Sequence, residues 1–196
     1  MSRLIFYDEG HEYQVDGERV PSVSEILRFI FREVYGDINQ YILDNAADRG
    51  TRIHKACELL DKYGKVECDE DVVPYVKGYL RFLRDNKPQW TMIECAMMHN
   101  ELRYAGTIDR FGMIDGRTVL ADIKSSNTIQ TRLVTPQLAA YAMMLPEKPE
   151  RLLVIHLVKD GTYKLRDIPY DDSAFMACLT LHRLFEKKGK RRKNEN

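Results

Sequence analysis

The sequence predicts an α/β fold, a mixed β-sheet flanked by helices. Three observations predict it. Three strand-like runs follow one another, "WTMIECAMM", "ELRYAGTIDRFGMI" and "RTVLADIKS". A helical segment then leads to a further branched, apolar run, "RLLVIHLV". A meander followed by a helical crossover to another strand gives a mixed sheet. Helical segments also precede and follow these strands, so helices are available to pack on the sheet.

Each element has its own signal. "LIFY", "HEYQV" and "ERV" read as short strands, with Asp16-Gly17 as a turn. Ser22 and Glu25 form a capping-box pattern ahead of "ILRFIF", so a helix is expected from about Ser22 to Tyr35. The next helix spans roughly Gln40 to Tyr63, with Ile53, Ala56, Cys57 and Leu60 as its apolar stripe. Gly50 costs it about 1 kcal/mol relative to alanine and marks either a break or a close backbone approach. A third helix covers about Val72 to Asp85, with Tyr75, Tyr79, Phe82 and Leu83 on one side. Thr135-Pro136 reads as a helix start, threonine at the N-cap and proline in the first turn, of a helix running to about Leu145. Asp160-Gly161 turns "RLLVIHLV" into "TYKLRDI", and Asp171 or Asp172 caps a last helix to about Lys187.

The 196 residues are enough for one domain with a real core, expected over residues 1–188 with a small N-terminal strand and helix addition. Residues 189–196 are expected to form a basic, disordered tail. No apolar run approaches the roughly 20 residues that span a bilayer. The N-terminus lacks the apolar region of a signal peptide, so a cytoplasmic protein without a membrane partner is expected. Formal net charge is zero, but "KKGKRRK" (Lys187 to Lys193) carries six positive charges, so the rest sums to −6. Any nucleic-acid site in the body must therefore be local. Cys57, Cys68, Cys95 and Cys178 form no C-x-x-C pair, which argues against a zinc site and for reduced, buried thiols. No G-x-x-x-x-G-K-[ST] loop is present, hence no nucleotide-driven motor of that type.

Chemistry concentrates in "GTIDRFGMIDGRTVLADIKSS". Asp115-Gly116 is a two-residue hairpin signal, because a type I′ turn needs positive φ at both positions. With a two-residue loop, paired residues sum to 231, so Asp109 faces Asp122 and Lys124 faces Thr107 on the same side. Ile108, Val119, Ala121 and Ile123 then form an apolar face. Two opposed carboxylates destabilise a sheet unless something compensates. A divalent cation does so, and hard oxygen ligands suit Mg²⁺ or Mn²⁺. The alternative at this point is a pair of solvated aspartates bridged to Lys124 and Arg110. Gln137 and Tyr141, four apart on the following helix, share a face and could reach the same site. His54 sits beside the apolar stripe of its helix, either structural or a ligand for a transition ion.

Together these residues resemble the PD-(D/E)xK nuclease superfamily, in particular its RecB-like exonuclease branch of small phage and bacterial type. The resemblance covers about residues 11–145. "RGTRIH" resembles the first motif, ending in His54; "GTIDR" the second, with Asp109; "DIK" the third, with Asp122 and Lys124. "QLAAY" fits the downstream Q-x-x-x-Y, with Gln137 and Tyr141, and "HEYQVDGERVPSVSEIL" is similar to the opening of small members. The third-motif acid is Asp122 where many relatives carry glutamate. Some relatives hold an iron–sulfur cluster on one upstream and three downstream cysteines; only Cys178 lies downstream here, so no cluster is expected.

The resemblance implies a restriction-endonuclease-like fold and a metal-dependent DNA exonuclease, in recombination, repair or phage DNA processing. It implies a Mg²⁺ or Mn²⁺ ion held by Asp109, Asp122, the Ile123 carbonyl and His54. Lys124 would orient the attacking water and stabilise developing charge, or assist as a base if its pKa is depressed. Gln137 and Tyr141 would position the DNA strand or Lys124. Arg49 and Arg52, near His54 on the helix, are candidate phosphate contacts. Glu94 is placed on the active face but several residues from Asp109, as a possible group behind the ligands or on a second metal. DNA is the implied partner, with a helicase or single-strand annealing protein as a possible companion. An endonuclease, a Cas4-like CRISPR nuclease and a non-catalytic DNA-binding or assembly subunit are the alternatives. Retention of repelling carboxylates argues against the last.

Overall fold

The computed structural model describes residues 3–7 and 12–194, with side chains as far as Glu186. Strands β1 (Leu4–Tyr7), β2 (Glu12–Val15) and β3 (Glu18–Val20) form a small antiparallel sheet. His11, which the sequence places in β2, lies outside the described residues. Asp16 and Gly17 have φ of 52° and 84°, both positive as a type I′ turn demands. Tyr13, Val15 and Val20 bury against Ala105, anchoring this sheet to the rest.

The cap at Ser22 forms: its Oγ accepts the Glu25 N–H at 3.0 Å. The predicted helix nevertheless splits into α1 (Val23–Ile26) and α2 (Arg28–Tyr35) at Leu27, whose ψ of 0° departs from helical geometry. Packing separates the pieces. Val23 and Ile26 are fully buried, whereas α2 buries no residue completely and touches the core through Ile30. Helix α3 (Gln40–Tyr63) runs through Gly50 without a break. Nothing lies within 4 Å of where a Cβ would stand there, so neither reading of Gly50 holds. Helix α4 (Val73–Asn86) follows.

The main sheet has the order β4 (Gln89–His99), β5 (Tyr104–Ile114), β6 (Arg117–Lys124), β7 (Arg151–Leu157), β8 (Tyr163–Ile168). Helix α5 (Thr131–Met144) makes the crossover from β6 to β7, the one parallel pair; the others are antiparallel. The mixed sheet is therefore as predicted. α5 begins a turn earlier than Thr135, leaving Pro136 inside the helix. Val134, Pro136 and Leu138 are all buried, and their packing carries the helix back past the proline. Helix α6 (Ser173–Asn194) continues beyond Lys187. Residues 189–196, expected as a disordered tail, are helical as far as Asn194; residues 195–196 and the side chains of the basic stretch lie outside the described residues.

Helices cover both faces of the sheet. On one side α1, α5 and α6 meet Ile108, Leu120, Leu152, Val154 and Ile168. On the other, α3 and α4 meet Ile114, Val119, Ala121, Ile123, Leu153 and Ile155. Among the described residues no helix is long and apolar enough to cross a membrane. All four cysteines are free; Cys57 and Cys178 are buried, Cys68 and Cys95 half-buried.

Candidate active site

The site starts where the strands stop pairing. Asp115 and Gly116 adopt positive φ (50° and 75°), and Ile114 pairs with Arg117, so the predicted two-residue hairpin and its register are correct. Pairing proceeds to Arg110 with Ala121 and ends there. The next rung would join Asp109 to Asp122. Instead the Asp109 Oδ2 inserts between the strands and accepts the Ile123 N–H at 2.7 Å. A carboxylate thus replaces a backbone carbonyl as the acceptor, which an opposed pair of charged side chains makes favourable.

The ladder opens on the other edge of β5 as well. Ile93 pairs with Arg110 and Cys95 with Ile108, but Glu94, opposite Asp109, is unpaired and has φ of 46°. Such a conformation is uncommon for a residue with a long side chain. It brings Glu94 to the site itself, correcting the expectation that it lies several residues from Asp109. Glu94, Asp109 and Asp122 form one row across three strands.

The splay overturns two further expectations. Thr107 does not face Lys124; its hydroxyl contacts the Tyr13 hydroxyl at 2.8 Å, and Lys124 pairs with His156 on β7. Nor is there a single apolar face. Ile108 belongs to the layer of α5 and α6, while Val119, Ala121 and Ile123 face α3 and α4. Arg110 also faces α3 and α4, so the in–out alternation skips at Asp109.

Helix α3 supplies His54. Its Nδ1 stands 3.4 Å from Glu94 Oε1 and 3.5 Å from Asp109 Oδ2, and these three ligand atoms all lie within 4.8 Å of one another. Its Nε2 is 2.9 Å from the Ile123 carbonyl. That carbonyl, expected as a metal ligand, accepts the imidazole N–H and so leaves Nδ1 facing the carboxylates. Burial pulls the His54 pKa down, but Asp109 and Glu94 outweigh it and push the ring up to about 9.

Lys124 anchors the other half. Its ammonium is 2.8 Å from Asp122 Oδ2, and it donates to Asp122 Oδ1 at 3.0 Å and to Gln137 Oε1 at 3.1 Å. Gln137 Nε2 in turn donates to the Tyr141 hydroxyl at 3.3 Å. The two helix residues therefore hold Lys124. Burial pulls the lysine pKa down, but Asp122 and Asp109 outweigh it and hold it above its ordinary value. Lys124 stays charged, which favours an electrostatic role over that of a base. Burial raises Asp122 to about 6, against the pull of Lys124 and with the help of Asp109. Its buried Oδ2, though near the ammonium, makes no hydrogen bond.

A second group, missed in the sequence, braces the row from behind. Arg110 is fully buried. It donates to Glu94 Oε1 (2.9 Å), the Asp109 carbonyl (2.6 Å) and Asp61 Oδ2 (2.6 Å), and Tyr79 donates to the same Asp61 oxygen at 2.6 Å. The signal was available: an arginine on an otherwise apolar face needs buried acceptors. The arginines of α3 divide. Arg52 is committed to Asp48, Asp69 and Asp71 at 2.7–3.0 Å, clamping the segment before α4. Arg49 carries a buried Nε with no hydrogen-bond partner among the described residues.

These residues fit a divalent cation. An imidazole nitrogen and two carboxylates converge, and a buried carboxylate oxygen without a hydrogen bond lies beside them. Hard oxygen donors with one imidazole suit Mn²⁺ or Mg²⁺.

No family model matches this chain, and no curated protein does. Among solved structures it is similar to an alkaline exonuclease, LHK-Exo, from Laribacter hongkongensis, at 15% identity over 71% of this chain and 84% of that chain, with a TM-score of 0.40. It is also similar to LHK-Exo in complex with dAMP, at 14% identity over 88% of this chain and 94% of that chain, with a TM-score of 0.43. Likeness this distant leaves the function to be argued from the site.

Proposed function

We propose that this chain is a divalent-metal-dependent deoxyribonuclease, with the ion held by His54 Nδ1, Glu94 and Asp109 and with Asp122 beside them. The observation that carries the reading is the broken rung. Glu94, Asp109 and Asp122 stand where the β4–β5 and β5–β6 ladders lose a rung, and there meet an imidazole and a charged lysine. A purely structural row would not retain this arrangement, since buried like charges cost stability.

When bound, the cation supplies a water acidic enough to attack near neutral pH and a positive charge for the phosphate. The protein residues do the rest. Glu94 and Asp109 are held by Arg110 and by the Ile123 N–H, so they present their oxygens without reorganisation. Lys124, fixed by Asp122 and Gln137, places a full positive charge where a pentavalent phosphate gathers negative charge. Tyr141 stays a neutral phenol, because burial raises its pKa, and so orients Gln137 as a hydrogen-bond partner. Arg49 is the better phosphate contact of the two arginines, since the guanidinium of Arg52 is already engaged.

The four motifs of the family resemblance favour an exonuclease acting in recombination, repair or phage DNA processing, working alone or beside a helicase or annealing protein. The test is digestion of end-labelled linear and covalently closed circular DNA with Mg²⁺, Mn²⁺ or EDTA. Metal-dependent loss of the linear form alone, absent in Asp109→Ala, is the expected result. Equal degradation of both forms would point to an endonuclease. No hydrolysis under any condition would leave a DNA-binding subunit.

A further inference from the structure

Helix α2 presents a stripe unrelated to the core. Arg28, Phe31, Arg32 and Tyr35 recur at i, i+3, i+4 and i+7, which places them on one side of the helix. The other sides are used: Ile30 packs on the core, and Phe29 meets the ring of Phe185 at 5.7 Å. Phe31 is 42% exposed, and its ring contacts that of the half-buried Tyr35 at 4.9 Å. Both arginines are exposed and make no ion pair among the described residues. Single exposed aromatics need no explanation, but two aromatics interleaved with two unpaired guanidiniums do.

The stripe also leads somewhere. α2 packs against α5, the helix that carries Gln137 and Tyr141. Tyr35, at its end, interacts electrostatically with the Lys124 ammonium. That end of the stripe therefore lies within electrostatic range of the lysine of the candidate site.

We propose that this face of α2 is a track for single-stranded DNA, on which unpaired bases stack on Phe31 and Tyr35 while Arg28 and Arg32 hold the intervening phosphates. The inference rests on the nuclease reading and adds a substrate class to it: a strand whose bases are unpaired where it reaches Lys124. Alternating aromatic and guanidinium groups match the alternation of base and phosphate along a single strand. A duplex keeps its bases stacked inside and offers the rings nothing. A second protein chain would need a carboxylate placed opposite each guanidinium, whereas a single strand supplies a phosphate between every pair of bases.

Binding of fluorescent dT₂₀ and of a blunt 20-base-pair duplex is measured in EDTA, where no hydrolysis occurs. Phe31→Leu/Tyr35→Leu keeps the face apolar and removes its rings. It should weaken dT₂₀ binding by about 30-fold or more, as expected for losing two base–aromatic stacks, and leave the duplex nearly unaffected. Arg28→Ala/Arg32→Ala should flatten the salt dependence of dT₂₀ binding by about 1.4 log–log units, at roughly 0.7 per single-strand phosphate contact. Unchanged dT₂₀ affinity in the leucine variant would overturn the proposal, as would equal losses for dT₂₀ and duplex. A change of oligomeric state in sedimentation with no change in dT₂₀ binding would make the face a contact between copies of this chain. Hydrolysis by the wild type is scored separately with Mn²⁺, so failure of the track and failure of the nuclease reading give different results.

Discussion

Mn²⁺ titrated into the metal-free protein should displace protons, and the site sets how many. His54 is held at about 9 by Asp109 and Glu94 against the effect of burial, and Asp122 at about 6 chiefly by burial. At pH 7.5 the imidazole is then almost wholly protonated and the Asp122 carboxyl almost wholly ionised. An ion that takes His54 Nδ1 must remove that proton, so about one proton leaves per ion bound. The competition costs roughly 2 kcal/mol, or about thirtyfold in apparent affinity, at pH 7.5. Between pH 6.5 and 8.5 log K should rise by about one unit per pH unit, and more steeply below pH 6 if Asp122 also ligates. The same proton stabilises the metal-free fold; that contribution is complete below the ordinary histidine pKa and is lost as pH rises through about 9. The assay is isothermal titration calorimetry in buffers of differing ionisation heat, which counts protons directly. His54→Ala should bind more weakly at pH 8.5 and lose the slope. Ion binding without proton release at pH 7.5, or a slope that survives in His54→Ala, would refute the ligand assignment.

Lys124→Ala should cut turnover with DNA affinity nearly unchanged, the pattern of a group acting at the transition state, and arginine should not restore it because a planar fork cannot occupy a point-charge position; single-turnover kinetics beside a binding isotherm reads both. Asp109→Ala should abolish hydrolysis and also destabilise the metal-free protein by about 1–3 kcal/mol, because the buried Ile123 N–H loses its acceptor; equal or greater stability by urea denaturation would mean that carboxylate repulsion dominates. Gly106→Ala places a Cβ 2.7 Å from Tyr141 Cε1, so it should displace that ring and lower turnover through Gln137, at a stability cost of about 1–3 kcal/mol; a wild-type thermal midpoint would show that the ring gives way freely. Removing residues 187–196 takes away six positive charges and should flatten the salt dependence of duplex binding while turnover at saturating DNA persists.

Local signals sufficed for much of this protein. The paired turns at Asp16-Gly17 and Asp115-Gly116 are legible because positive φ at two successive residues restricts their identity, and the second sets the β5–β6 register. The helix stripe of Ile53, Ala56, Cys57 and Leu60 places α3, and with it His54 beside the core. The crossover from β6 through α5 to β7 follows from element order alone. Tertiary structure decided the rest. β4 reaches β5 through a turn at residues 100–103 that has no Asn-Gly or Asp-Gly signature, so the position of Glu94 opposite Asp109 could not be read. The start of α5 followed the burial of Val134 and Leu138, not the local preference of Thr135-Pro136. The opening of the ladder at Asp109 is also non-local. It depends on repulsion among acids from three strands, on Ile123 lending its N–H to a carboxylate, and on Arg110 finding Asp61 and Tyr79 on two helices. Sequence order names the charged groups; only their mutual distances within a low-dielectric interior decide which of them pair, which repel and which remain open to an ion.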